Sequence, residues 1–128
     1  MTAAGFAAIA IGAVLGAWLR YVLTHFLNAA APSLPLGTLL ANLIGSFLVG
    51  VAVEFFFLRH ATLPPEWRLF VITGFLGGLT TFSTFSAESV ELMQRGAYGW
   101  ALAHTSAHLF GSLTLTVLGM FCVRALKL

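Results

Sequence analysis

The chain has 128 residues, 59% of them hydrophobic and 8% charged, with a formal net charge of +2 and a mean hydropathy of +0.98. A surface this apolar cannot face water throughout, which excludes an ordinary soluble domain. Six scattered Lys and Arg make no basic patch for nucleic acid, and the single Cys122 excludes an intramolecular disulfide. The first charge is Arg20, so no cleavable signal peptide with a basic leading region is expected.

A membrane-spanning helix takes about 20 residues, so this length accommodates about four with short connections. Apolar runs predict spans over residues 5–27, 37–58, 67–93 and 98–123, forming a single all-α transmembrane domain. In the first span, Gly12-Ala-Val-Leu-Gly16 is a small-xxx-small pair that lets two helices approach closely. Arg20 follows near the membrane interface. It either snorkels to the headgroups or serves the interior, as an attractor for an anion or a partner for Glu88. Pro32 and Pro35 then end the helix in a short turn.

The second span carries Asn42, Gly45 and Ser46 on one helix face. An amide in hydrocarbon must bond to another helix or line a wet cavity, and the spacing leaves both open. Glu54, about three turns further on, is expected at the interface. The loop over residues 59–68 is the most polar in the chain, and Glu66 sits where a helix amino terminus favours a carboxylate.

The third span is the anomalous one. Gly74-Phe-Leu-Gly-Gly-Leu-Thr-Thr-Phe-Ser-Thr-Phe85 is charge-free yet crowded with glycines and hydroxyls. Gly74, Gly77 and Gly78 each weaken a helix by roughly 1 kcal/mol relative to alanine. Thr80, Thr81, Ser83, Thr84 and Ser86 can satisfy backbone groups freed by a break. An interrupted helix presents carbonyls that favour a cation and amide N–H groups that favour an anion. Phe82 and Phe85 share a face, and the positive edges of their rings can hold an anion without a full positive charge. Thr81, Thr84 and Glu88 form a second stripe that ends in an ionisable group.

In the fourth span His104, His108 and Ser112 recur every four residues. Two histidines alone fall short of the three or four ligands that zinc requires, so lining a wet path or bonding across helices is favoured. Thr105, Thr114 and Thr116 are expected to bond back to their own helix. With both termini on one side, that side carries Arg59, Arg68, Arg124 and Lys127, against Arg95 and Arg20 on the other. Four against two is a weak orientation bias, and it permits insertion both ways round.

These motifs in this order resemble the fluoride channels of the Fluc (also called CrcB) family across essentially the whole chain. The resemblance rests on Gly12-x-x-x-Gly16-x-x-x-Arg20-Tyr21, on Gly37-Thr-Leu-x-x-Asn42-x-x-Gly45, and above all on Gly74 to Phe85. It implies an antiparallel, dual-topology homodimer in the bacterial inner membrane, with a break in the third helix and two pores lined by both subunits. Fluoride would leave the cytoplasm passively through them. The resemblance further implies a structural sodium ion at the dimer centre, held by the main-chain carbonyls of Gly77 and Thr80. Phe82 and Phe85 match its ring pair, Asn42 its asparagine and Ser112 its hydroxyl, with Thr81, Thr84 and Glu88 continuing a polar track.

Ala13 departs from the family at a packing position, and His104 and His108 stand where other members carry Tyr or Ser; with Arg20 they remain possible pathway residues. The main rival is a small proton-coupled exporter, which needs a carboxylate within the membrane; Glu54 and Glu88 are its candidates. A membrane enzyme is a second rival, although no spacing specifies a nucleophile and base pair. A purely structural subunit is a third.

Overall fold

The computed structural model describes residues 2–31 and 34–128; Pro32, expected to help end the first helix, and Ser33 lie outside them. Among the described residues the chain is helical without strands, and four helical segments are long and apolar enough to cross a membrane: Ala3–Leu27, Leu36–Arg59, Pro65–Gln94 and Tyr98–Leu126.

Helix α1 (Ala3–Leu27) opens on Thr2, whose hydroxyl accepts the Gly5 N–H at 3.1 Å and satisfies one of the free donors of the first turn. Helix α2 (Leu36–Val53) is capped from outside itself. Pro35 supplies no side-chain bond there, and Asn28 Oδ1, at the end of α1, accepts from Gly37 N at 2.7 Å and Thr38 N at 3.4 Å. The second span then widens into π-helical turns over Glu54–Arg59.

The third span is built in pieces. A short helix α3 (Pro65–Arg68) has Glu66 in its first turn, as expected of a carboxylate at the positive end of a helix. It runs into a π-helical stretch, Leu69–Leu76, then α4 (Gly77–Leu79). Thr80 and Thr81 are extended, with ψ of 154° and 116°, and α5 (Phe82–Gln94) begins after them. Helix α6 (Tyr98–Leu126) completes the bundle and runs on to Leu126, where the apolar pattern predicts an end near Val123.

Two glycine seams hold these helices together. Gly12 and Gly16 of α1 lie against the backbone at Phe70, Phe75 and Leu79, while Gly74 and Gly78 lie against α1 at Ile9 and Ala13. Gly50 of α2 meets Thr116, and Gly119 of α6 meets Phe47 in the same manner. Lipid tails are as apolar as side chains, so backbone-to-backbone contact supplies much of the attraction between helices in a membrane. Along the second seam the Thr116 hydroxyl donates to the Ser46 carbonyl at 3.0 Å. That corrects the expectation that Thr116 bonds within its own helix; the glycine contact brings a foreign carbonyl within reach.

Glu54 also departs from expectation. It is buried rather than at an open interface, and its carboxylate is held by Arg124 at 2.9 Å and Arg59 at 3.7 Å. Large side chains such as Phe6, Trp18 and Phe26 of α1 and Phe110, Val117 and Phe121 of α6 point outward.

The first seam leaves no room for a methyl group. A Cβ at Gly16 would overlap the Phe75 carbonyl and lie 2.8 Å from Leu79 N, whereas one at Gly99 meets nothing within 4 Å. Gly16→Ala is therefore expected to destabilise the fold by about 1–3 kcal/mol, the usual cost of overpacking. Gly99→Ala should be neutral or slightly stabilising. Unfolding of both variants in detergent checks the contrast.

Candidate functional site

The interruption in the third span has a local cause that lies mostly outside it. Asn42 of α2 presents its amide to the Thr81 backbone: Oδ1 accepts from Thr81 N at 2.8 Å, and Nδ2 donates to Thr81 O at 3.0 Å. In a continuous helix Thr81 N would bond to the Gly77 carbonyl. Thr81 Oγ1 in turn accepts from Thr84 N at 3.1 Å as the cap of α5, a donor that helical continuity would assign to the Thr80 carbonyl. The chain thus leaves its helical path at two threonines, each of whose amide groups is accounted for. Thr80 N keeps its helical bond to Leu76 O at 2.9 Å, and the Thr80 hydroxyl bonds to the same carbonyl at 2.8 Å.

The glycines play a different part from the one their sequence suggests. Gly74, Gly77 and Gly78 all lie in helical conformation, and Gly74 and Gly78 serve close packing against α1. Gly77 alone of the three faces open space, with Ile72 O at 3.8 Å the nearest atom to a Cβ built there.

Beside the interruption is a cavity of about 640 Å³ lined by Asn42, Ser46, Thr80, Thr81, Phe82, Phe85, His108 and Ser112, among others. Candidates from three spans therefore meet in one place. Gly45, on the same face of α2 as Asn42 and Ser46, admits the Thr80 methyl. Phe82 is 79% exposed, and its ring centroid lies 5.5 Å from that of Phe85. Phe85 in turn packs against His104 and His108, with centroids at 5.4 and 4.7 Å. The first turn of α5, whose free N–H groups form the positive end of that helix, opens on this cavity.

The remaining candidates extend away from the cavity. Thr81 Oγ1 reaches Thr84 Oγ1 at 3.0 Å and Ser83 Oγ at 3.2 Å. Glu88 does not meet Arg20, in contrast to the pairing that their positions along the chain allow. Its Oε1 accepts from the Thr38 hydroxyl at 2.6 Å, and its Oε2 lies 3.3 Å from His104 Nε2. Arg20 instead donates to the Thr80 carbonyl at 3.4 Å, at the interruption itself. His104 Nδ1 is 3.1 Å from Ser89 Oγ, and His108 Nδ1 is 3.2 Å from Asn42 Nδ2. Glu88, His104 and His108 bring one ligand atom each to within 4.8 Å of one another, so the structure supplies a third potential ligand that the histidine spacing lacked.

Thr38, Ser89 and Asn28 are not legible as site residues in the sequence. Thr38 has a signal, since it stands one turn before Asn42 on the same face. Ser89 and Asn28 have none, for their partners lie on other helices.

Four apolar spans, an interrupted third span and a cavity lined by hydroxyl-bearing, amide and aromatic residues define a multi-pass membrane protein of the channel or transporter class. Its family follows from comparison. The chain belongs to the family described as "CrcB-like protein, Camphor Resistance (CrcB)", whose model matches residues 7–120. It is similar to the protein named Fluoride-specific ion channel FluC of Ralstonia nicotianae, with 56% identity over 98% of this chain and 99% of the relative. The protein of the same name from Ralstonia pickettii is 60% identical over 97% of this chain and 98% of its own length, and that from Burkholderia thailandensis 60% over 92% and 91%.

Asn42→Ala removes both bonds to Thr81 and leaves its buried N–H without a partner, while the Thr81 carbonyl, as the cap of α5, keeps its bond within that helix. The expected cost is about 1–3 kcal/mol, that of one unsatisfied buried donor. Hydrogen exchange at the Thr81 amide should accelerate strongly. Ser86→Ala, which loses only a bond to the Phe82 carbonyl of its own helix, should change exchange little.

Proposed function

We propose that this chain is a fluoride channel of the bacterial inner membrane, which lets fluoride leave the cytoplasm passively and so limits its toxicity. The observation that carries the reading is the cavity at the interruption, where the amino-terminal end of α5 meets Ser112, Thr81, Phe82 and Phe85. The names of the similar proteins supply the ion.

Fluoride is small and strongly hydrated, so a path for it must replace water with many modest donors. Hydroxyls of Ser112, Thr81 and Thr84, the first-turn N–H groups of α5 and the ring edges of Phe82 and Phe85 offer them in sequence. Asn42 frames the path, because its amide is already committed to Thr81 and His108. Glu88 ends the track. Arg20, bonded to the Thr80 carbonyl, adds positive charge near its start, while His104 and His108 form the wall behind Phe85. None of these donors is deep or fully cationic, so an ion that enters can also leave.

The working unit in this reading is an antiparallel, dual-topology homodimer with two pores, each lined by both copies. The outward-facing Phe82 and the exposed Gly77 are what a second copy would cover. The weak charge bias between the two sides suits insertion in both orientations. A structural sodium ion at the dimer centre would take the Gly77 and Thr80 carbonyls of each copy as ligands. The local hydrogen bonding suits that role, since Asn42 and Thr81 Oγ1 capture the N–H groups that would otherwise bond to those two carbonyls; at Thr80 the ion would take the place of the Arg20 guanidinium, which now donates to that carbonyl. When bound, the ion would neutralise the carbonyl dipoles and tie the two copies together. The function is conduction, without a chemical step on the ion.

Reconstituted in liposomes, the protein should release fluoride down its gradient with no pH gradient present, as read by a fluoride electrode. Flux strictly dependent on a proton gradient would instead support the exporter. Phe82→Ile should lower flux about tenfold or more, since a branched aliphatic chain has no positive edge to present. Unchanged flux would remove the ring from the path. Prolonged withdrawal of sodium should weaken dimerisation or flux, measured by cross-linking and efflux; indifference to it would count against the Gly77 and Thr80 site.

A further inference from the structure

Behind Phe85, three buried polar atoms lack a hydrogen-bond partner, Glu88 Oε2, His104 Nε2 and His108 Nε2, and the first two lie 3.3 Å apart. His104 is fully buried and His108 is 5% exposed. Such atoms in a membrane interior call for an occupant. The surrounding bonds determine which one.

Asn42 Oδ1 accepts from Thr81 N, which fixes the orientation of the amide; its Nδ2 therefore donates to His108 Nδ1. A neutral His108 that accepts at Nδ1 carries its proton on Nε2. His104 has two arrangements. With the Ser89 hydroxyl donating to the Phe85 carbonyl at 2.9 Å, His104 Nδ1 donates to Ser89 Oγ; with the hydroxyl turned to His104 Nδ1, the imidazole proton sits on Nε2. In the first a lone pair on Nε2 faces Glu88 Oε2 3.3 Å away, and in the second Nε2–H points at that oxygen. Glu88 cannot turn this oxygen elsewhere without giving up Thr38 at its other one. In either arrangement neutral His104 leaves the Glu88 charge uncompensated, and one added proton neutralises the pair.

A metal ion would answer the lone pairs of Glu88 and His104. It would also need Nε2 of His108, which would shift that residue's proton to Nδ1, against the Asn42 donor. A proton needs no such rearrangement. We propose, on the basis that the chain is a fluoride channel, that Glu88 and His104 form a proton-binding site that regulates fluoride passage. With the proton shared between them the pair is neutral, and it lies directly behind a ring of the path. Without it the pair carries a full negative charge there and repels the anion. The proton stays with the pair and does not travel with fluoride.

The charged and titratable surroundings are few. Helix α5 adds Glu91, which is exposed and paired with Arg95, and α6 adds His108. Helix α2 contributes Thr38 and Asn42 and the end of α1 contributes Asn28, all uncharged. Arg20 is engaged at the Thr80 carbonyl.

The test is fluoride efflux from liposomes at equal pH inside and outside, from pH 6 to pH 9, corrected for empty vesicles. Flux should fall by about tenfold or more as pH rises, the effect of a like charge about 10 Å away, behind the ring, at an effective dielectric of about 20. In Glu88→Gln and in His104→Phe that fall should vanish, whatever flux remains. A flat wild-type profile with robust flux at every pH would overturn the inference and leave the channel reading intact. No flux at any pH would count against the channel reading instead. In that case infrared difference spectra across the same pH range, in fluoride-free buffer, still decide the site. A titrating carboxyl or imidazolium band that disappears in Glu88→Gln supports it, and an ionised Glu88 beside a neutral His104 at every pH overturns it. Stoichiometric Zn²⁺ binding that both variants abolish would also overturn it, in favour of a metal site.

Discussion

The bidentate grip of Asn42 on Thr81 is the interaction on which the rest of the site depends. A polar side chain in a membrane must find partners, and so must any backbone group released from a helix. Here the two needs meet in one place. Asn42 takes both the N–H and the carbonyl of Thr81, and Thr81 then caps α5 with its own hydroxyl. Without that exchange the extended Thr80–Thr81 segment would leave buried donors unpaired. With it, α5 starts afresh inside the membrane with its positive end facing a cavity.

The grip also requires the helices to be held at the right spacing. Gly12 and Gly16 let α1 lie against the backbone of the third span, and Gly50 and Gly119 do the same between α2 and α6. These contacts are steric and short, so they fix separation closely even where no strong polar bond exists. The third span is consequently pressed against α1 on one side and bonded to α2 on the other. His108, arriving on α6, completes the coordination of Asn42 and connects the interruption to the Glu88 and His104 pair.

Much of this is legible in the chain. Long apolar runs mark the four spans, and Gly12 and Gly16 mark a close helix contact. The Gly74 to Phe85 segment stands out as out of keeping with lipid, and the interruption does fall within it. Its internal logic, however, differs from what its composition suggests. Glycines look like the weak points of a helix, yet Gly74 and Gly78 are packing residues and the chain leaves its helical path at Thr80 and Thr81. Helix propensity is local, and at this point a donor and acceptor from another span outweigh it. Glu54 likewise belongs at an interface by its position along a helix, but its burial depends on Arg124 arriving from the far end of the chain.

Composition and periodicity alone determined that this is a four-span membrane protein carrying a polar stripe on each of its last three spans. They did so because hydropathy and helical spacing are properties of neighbouring residues. The tertiary structure decided which stripe meets which. It turned Arg20 to the Thr80 carbonyl and Glu88 to Thr38 and His104, and it put Asn42 across from Thr81. Those pairings join residues far apart in the chain, and only the packing of whole helices brings them within hydrogen-bond reach.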